Sequence, residues 1–308
     1  MTTALITHAD CLGHVTPDGH PEQVARLEHI LHALEPLDLK RVTAPMAAED
    51  DILRIHPAGY LSDLRKASPA EGWAQIDGDT FMSPGSLDAA FRAAGAVVRG
   101  VDMVLGGEVQ NAFAAVRPPG HHAETETAMG FCLFGNAALA AKHALDHHGL
   151  SRVAVVDFDV HHGNGTQDLL WDEPRALVVT SQQMPLWPGS GRPDEDGAHG
   201  NILNMPLAPG SGRAEMQAAY ETQAFPRLRD FKPELIIISA GFDTHQDDPL
   251  ASLNWATADF AWITAELCKL ASELCGGRIV STLEGGYDLN ALAAATRAHV
   301  EELMKAPA

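Results

Sequence analysis

The sequence predicts one α/β domain spanning residues 1–308, with a mainly parallel sheet flanked by helices. Three observations carry this. Short Val/Ile-rich apolar runs recur without polar alternation, the pattern of strands buried on both faces of a parallel sheet. Longer helix-like stretches alternate with them. The Gly- and Pro-rich patches fall just after the predicted strands, where open α/β sheets bind ligands.

Taken in chain order, Thr3–Thr7 is a first candidate strand. Ser86–Leu105 is Ala-rich, opened by Ser83-Pro84-Gly85 and closed by Gly106-Gly107, and reads as a helix. Ala112–Val116 is a second candidate strand, and Asn136–His148 a helix closed by Gly149. Val153–Val156, Ala176–Val179, Leu235–Ser239 and Ile279–Leu283 are Val/Ile-rich, too short for a helix, and suit strands buried on both faces. Arg213–Phe231, Thr257–Leu274 and Leu289–Lys305 read as helices. No Pro/Ser-rich linker divides the chain.

Lys and Arg total 21 against 41 Asp and Glu, a formal net charge of -20. Such a chain is unsuited to a nucleic-acid backbone, which needs clustered cations. It would attract cationic ligands if the acids cluster near a site, or simply present a solvated acidic surface. No run of 18 apolar residues predicts a membrane span, and the start, Met1 to His8, lacks the features of a signal peptide. Four cysteines without a CxxC pair, Cys11, Cys132, Cys268 and Cys275, suit reduced cytoplasmic thiols. A homo-oligomer formed through an exposed apolar loop is compatible with this composition.

Four loops carry candidate chemistry. After Val153–Val156 come Asp157, Asp159 and His161. Residues at i and i+2 of a strand share a face, so Asp159 and His161 can meet at one point. A carboxylate and an imidazole there suit a borderline divalent cation such as zinc; the alternative is a solvated strand end capping the next helix. Asp243 occupies the same topological place after Leu235–Ser239 and would complete a three-ligand site with an open position, the mark of a catalytic zinc. His245 is a further ligand candidate or a loop residue. His121-His122, on a turn after Arg117-Pro-Pro-Gly120, could supply acid and base groups beside a metal-bound water. Tyr287, in Glu284-Gly-Gly-Tyr-Asp288, could donate to an oxyanion or serve as a core or lid tyrosine. His147-His148 ends a helix and is read as facing the helix dipole and solvent.

Together the motifs RPPGHHA (117–123), VDFDVHHGNGTQD (156–168), SAGFDTHQDDPL (239–250) and LEGGYD (283–288) resemble the histone deacetylase superfamily of the arginase/deacetylase fold. GHPEQVARL (19–27), DGDTFMSPGS (77–86), MGFCLFGNAA (129–138), PGSG (188–191) and NILNMPLAPGSG (201–212) extend the likeness, in order, over nearly the whole chain. It looks most like the class II and bacterial amidohydrolase branch. The resemblance implies a sheet of about eight strands and a zinc-dependent deacetylase that frees an amine and a short carboxylate by a metal-activated water.

Carried over position by position, the resemblance makes Asp159, His161 and Asp243 the ligands of one zinc. His121 and His122 become the tandem catalytic histidines, with Asp157 behind the first and Asn164 behind the second. Tyr287 becomes the residue that polarises the scissile carbonyl. Gly130 and Phe131 line one wall of the acyl channel and Trp187 the opposite wall. A structural potassium site would use Asp157, Asp159, His161, Thr180 and Ser181, although relatives usually carry His where this chain has Gln182. The arginase-type second metal is not supported, because Gly163 and His245 stand where its extra carboxylates would be. Leu250, where polyamine-preferring relatives carry a glutamate, favours an acylated lysine as substrate; a small acylated amine such as an acetylpolyamine is the alternative. A non-catalytic binding protein on this fold should have lost a ligand, a histidine or Tyr287, and all are present.

Overall fold

The computed structural model describes residues 2–306. Eight parallel strands form one sheet: β1 (Thr3–Thr7), β2 (Lys40–Thr43), β5 (Asn111–Ala114), β6 (Val153–Asp157), β7 (Ala176–Gln183), β8 (Ile202–Leu207), β9 (Leu235–Ala240) and β10 (Ile279–Leu283). A two-residue hairpin, β3 (Ala74–Gln75) with β4 (Phe81–Met82), stands apart from it. The strand order is β2-β1-β5-β10-β9-β6-β7-β8. Every residue of β5, β6, β7, β9 and β10 is buried, as expected of strands covered on both faces.

That order positions the site. The four chemistry-bearing loops follow β5, β10, β9 and β6, which are consecutive neighbours at the centre of the sheet. Because all are parallel, their carboxyl ends open at one edge, and residues more than a hundred apart in sequence converge there.

The helices are α1 (Val24–Leu34), α2 (Glu49–Ile52), α3 (Ala58–Ala67), α4 (Ser86–Leu105), α5 (Asn136–Asp146), α6 (Asn164–Leu170), α7 (Arg213–Ala219), α8 (Phe225–Phe231), α9 (Thr257–Cys275) and α10 (Leu289–Lys305). The main core surrounds the sheet. A smaller cluster, including Ile52, Tyr60, Leu61, Phe91 and Phe134, packs under the 128–134 segment. Tyr60 donates to the Leu133 carbonyl at 2.6 Å, so this cluster anchors the segment that bears Gly130 and Phe131.

All six expected strands and five expected helices are present, with differences that have physical causes. The edge strands β2 and β8 escape an apolar-run criterion, since β2 reads Lys-Arg-Val-Thr and β8 contains Pro206; an edge position tolerates both charge and proline. The stretch 213–231 is helical but interrupted by a π turn at Tyr220–Ala224, where Pro226 has no N–H to give the preceding turn. Among the described residues no helix is long and apolar enough to cross a membrane.

Candidate active site

The site begins where β6 runs out. Nδ1 of His161 lies 3.3 Å from Oδ1 of Asp159 and 3.2 Å from Oδ2 of Asp243, and the ligand atoms of all three lie within 4.8 Å of one another. Both carboxylates are buried. Backbone amides fix them: Gly285 donates to Asp159 at 2.8 Å and Val160 to Asp243 at 2.9 Å. A Cβ at Gly285 would run into both carboxylates, so the approach of that loop requires glycine.

The electrostatics call for a cation. Burial, and then repulsion from Asp159, push the Asp243 carboxyl up to about 7. Burial opposes charge on His161, yet the two carboxylates draw its pKa up to about 10. Two buried acids sharing one imidazole are under-compensated, and a divalent ion would relieve them. Two oxygens and one nitrogen suit zinc and leave a coordination position open. The donor set therefore fits the expected metal.

The two histidines beside it differ. Nδ1 of His121 is 3.0 Å from Oδ2 of Asp157, and its Nε2 is 3.8 Å from Asp159. Burial disfavours its charge, but Asp159 and Asp157 outweigh burial and hold its pKa well above the usual value. Nδ1 of His122 is 2.7 Å from Oδ1 of Asn164. The Asn164 amide nitrogen donates to Glu124 at 2.7 Å, which fixes its orientation and makes Oδ1 the acceptor. His122 thus carries its proton on Nδ1 and leaves Nε2 free. Burial, then the charge on His121 and His161, hold its pKa well below the usual value.

These groups open on a cavity of about 540 Å³ whose lining includes His122, His161, Gly130, Phe131, Trp187, Leu250 and Tyr287. The Trp187 ring meets His122 edge-on at 4.7 Å, and Phe131 meets Tyr287 at 5.9 Å. A Cβ at Gly130 would strike the His122 ring. Burial first, with nearby acids, keeps the Tyr287 phenol protonated. All the expected channel residues thus share one cavity with His161 of the candidate ligand cluster. Thr180 pairs in register with Asp157, so the expected potassium residues are adjacent. His245 lies outside the ligand cluster, facing Thr257 Oγ1 at 3.2 Å, as a loop residue would.

Several supporting residues were not singled out by sequence. Glu284 accepts from the amides of Gly120 and His121 at 2.6 and 3.1 Å and from Ser239 at 2.8 Å, tying the histidine turn to β10. Glu22 bridges Arg26 and Arg117, all three fully buried. Arg26 in turn donates to the carbonyls of Gly286 and Glu284 and lies 5.0 Å over the Tyr287 ring. Asp248 accepts from the Tyr287 amide at 2.6 Å and the Leu250 amide at 3.0 Å. Each sits within a quoted motif, but the contacts that join one motif to another span tens to hundreds of residues, which spacing does not reveal.

Comparison with known proteins gives the family and the fold. A model of the histone deacetylase domain matches residues 20–303. A histone deacetylase-like amidohydrolase of Pseudomonas aeruginosa is 39% identical over 293 residues, covering 92% of this chain and 77% of that protein. The human polyamine deacetylase HDAC10 is 36% identical over 330 residues, 100% of this chain and 49% of that protein. The crystal structure of the HDA15 HD domain superposes with a TM-score of 0.92 at 32% identity, covering 98% of this chain and 90% of that one.

Proposed function

The chain belongs to the histone deacetylase family, and from that premise we propose that it is a zinc-dependent amidohydrolase removing acetyl or other short acyl groups from lysine side chains. The observation that carries this is His122, held neutral with Nε2 free, lining one cavity with Tyr287 and with His161, which clusters with Asp159 and Asp243 beneath it. Zinc held by those three residues would polarise the amide carbonyl and acidify a water.

The chain's own residues do the rest. His122 accepts the water proton at Nε2 and returns it to the leaving amine. His121, paired with Asp157, stays charged and stabilises developing negative charge. The Tyr287 hydroxyl donates to the carbonyl oxygen as it becomes an oxyanion. Phe131 and Trp187 enclose the aliphatic part of the substrate. Thr180, Ser181 and the Asp157–His161 segment would hold potassium. Four buried cysteines without disulfides support a reducing, cytoplasmic setting.

Substrate choice rests on the far end of the cavity. Leu250 presents no charge to a distal ammonium, which favours acyl-lysine. Asp18 and Asp79 line the same cavity and favour the second reading, a small cationic amide such as an acetylpolyamine. The test is kcat/KM of zinc-loaded protein on an acetyl-lysine peptide and on N-acetylspermidine. A peptide preference that Leu250→Glu reverses supports the first reading. A preference for the polyamine in the unmodified protein supports the second.

A further inference from the structure

A second cluster of ligand-type side chains lies outside the cavity. His143 sits in the last turn of α5, and His147 and His148 follow at its end. His147, four residues on, lies beside His143 at the helix terminus, and His148, just past the end, brings its ring centroid to 5.2 Å from that of His143. There they meet Asp102, in the last turn of α4, which packs on α5. The sequence alone reads His147-His148 as a solvated helix end; the packing of α4 against α5 changes that.

The geometry is compact. Oδ1 of Asp102 lies 2.8 Å from Nε2 of His143 and 2.8 Å from Nε2 of His148. The His147 ring stacks on His143 with centroids 4.7 Å apart and meets His148 at 5.1 Å. One ligand atom from each of the four residues lies within 4.8 Å of the others. Metal bonds of about 2.0–2.2 Å in a tetrahedron would separate ligand atoms by roughly 3.4 Å, so the cluster needs only small side-chain adjustments to close on an ion.

A second observation points the same way. Nδ1 of His143 is buried and has no hydrogen-bond partner. With Nε2 donating to Asp102, a neutral His143 leaves a bare acceptor at Nδ1 in the interior. With Nε2 on a metal, the proton must move to Nδ1, which faces Oδ1 of Asp51 at 3.9 Å. A ligating histidine that directs its other N–H at a carboxylate is the usual arrangement around protein metals.

We propose that His143, His147, His148 and Asp102 form a second metal site, distinct from Asp159, His161 and Asp243, which takes a borderline divalent ion such as Zn2+ and clamps the end of α4 to the end of α5. Three imidazoles and a carboxylate suit zinc and its first-row neighbours. Four protein ligands leave no open position, so this site is structural, whereas the three-ligand cluster keeps one for chemistry.

The test counts zinc. Chelator-stripped full-length protein is titrated with Zn2+, desalted, and its metal measured, alongside the double variant His147→Ala/His148→Ala. His147 is exposed and the His148 side chain partly so, and neither belongs to the core, so the variant should fold. The wild type should retain one zinc per chain more than the variant, and added Zn2+ should raise its Tm by a further step that the variant lacks. Turnover of an acetyl-lysine reporter should match in the two proteins. Equal zinc retention in wild type and variant would overturn the proposal. An Asp243→Asn variant separates the two sites, because it should keep the second ion.

Discussion

Oδ1 of Asn164 lies 2.7 Å from Nδ1 of His122, while the neighbouring His121 faces the carboxylate of Asp157 at 3.0 Å. An amide oxygen orients an imidazole without paying it for a charge. Asp159 and Asp157 hold His121 charged against its burial, while burial and the charges on His121 and His161 hold His122 neutral. The proposed division of labour between base and electrostatic partner rests on this contrast, to which the Asn164 and Asp157 partners contribute.

Replacing Asn164 by Asp puts an anion against His122, and an adjacent opposite charge favours the imidazolium. The base works only when neutral. The acidic limb of the kcat/KM–pH profile should therefore move to higher pH, by about one unit. An unchanged limb would show that His122 is not the base.

Tyr287→Phe removes the donor and keeps the ring that faces Arg26 and Phe131. The variant should fold with an unchanged Tm and lose about 10²–10³ in kcat. Near-normal turnover would exclude the hydroxyl from the reaction.

Glu22 compensates two buried guanidinium groups. Burial alone would push its carboxyl up, but Arg117 and His14 hold it well below the usual range. Glu22→Ala leaves both arginines uncompensated and should cost about 3–5 kcal/mol in urea unfolding. A loss near zero would mean that solvent reaches this network.

The four central loops were legible in sequence because each joins a buried apolar run to polar residues, a pattern that survives without tertiary information. Edge strands were not, because Lys40–Thr43 is recognisable as a strand only once it pairs with β1. The first row of site residues, Asp159, His161, Asp243 and His121-His122, was likewise legible from spacing. Their supports were not. Glu22 with Arg117 and Glu284 with the His121 amide are joined only by the fold, and Glu124 shows its purpose only when Asn164 Nδ2 is seen facing it. The same limit hid Asp102 from the helix-end histidines.

Acid should destabilise the protein through its buried neutral histidines. Burial holds His299 down to about 3, between Thr264 and Ser281 hydroxyls at 2.7 and 2.9 Å. Its unfolded pKa is about 6.5, so below that pH the unfolded chain binds the extra proton. The stability it contributes is complete above pH 6.5 and falls by about 1.4 kcal/mol per pH unit as pH drops toward the folded value. His299→Gln should flatten the curve by about that slope between pH 6 and 5. Parallel curves would show that His299 accepts a proton in the folded state.

The most direct test of the central claim is single-substrate turnover of an acetyl-lysine peptide by zinc-loaded wild-type and His122→Ala proteins of equal zinc content and Tm. The account predicts hydrolysis to acetate and free lysine, reduced about 10²–10⁴-fold in the variant. Equal rates in the two proteins would contradict it.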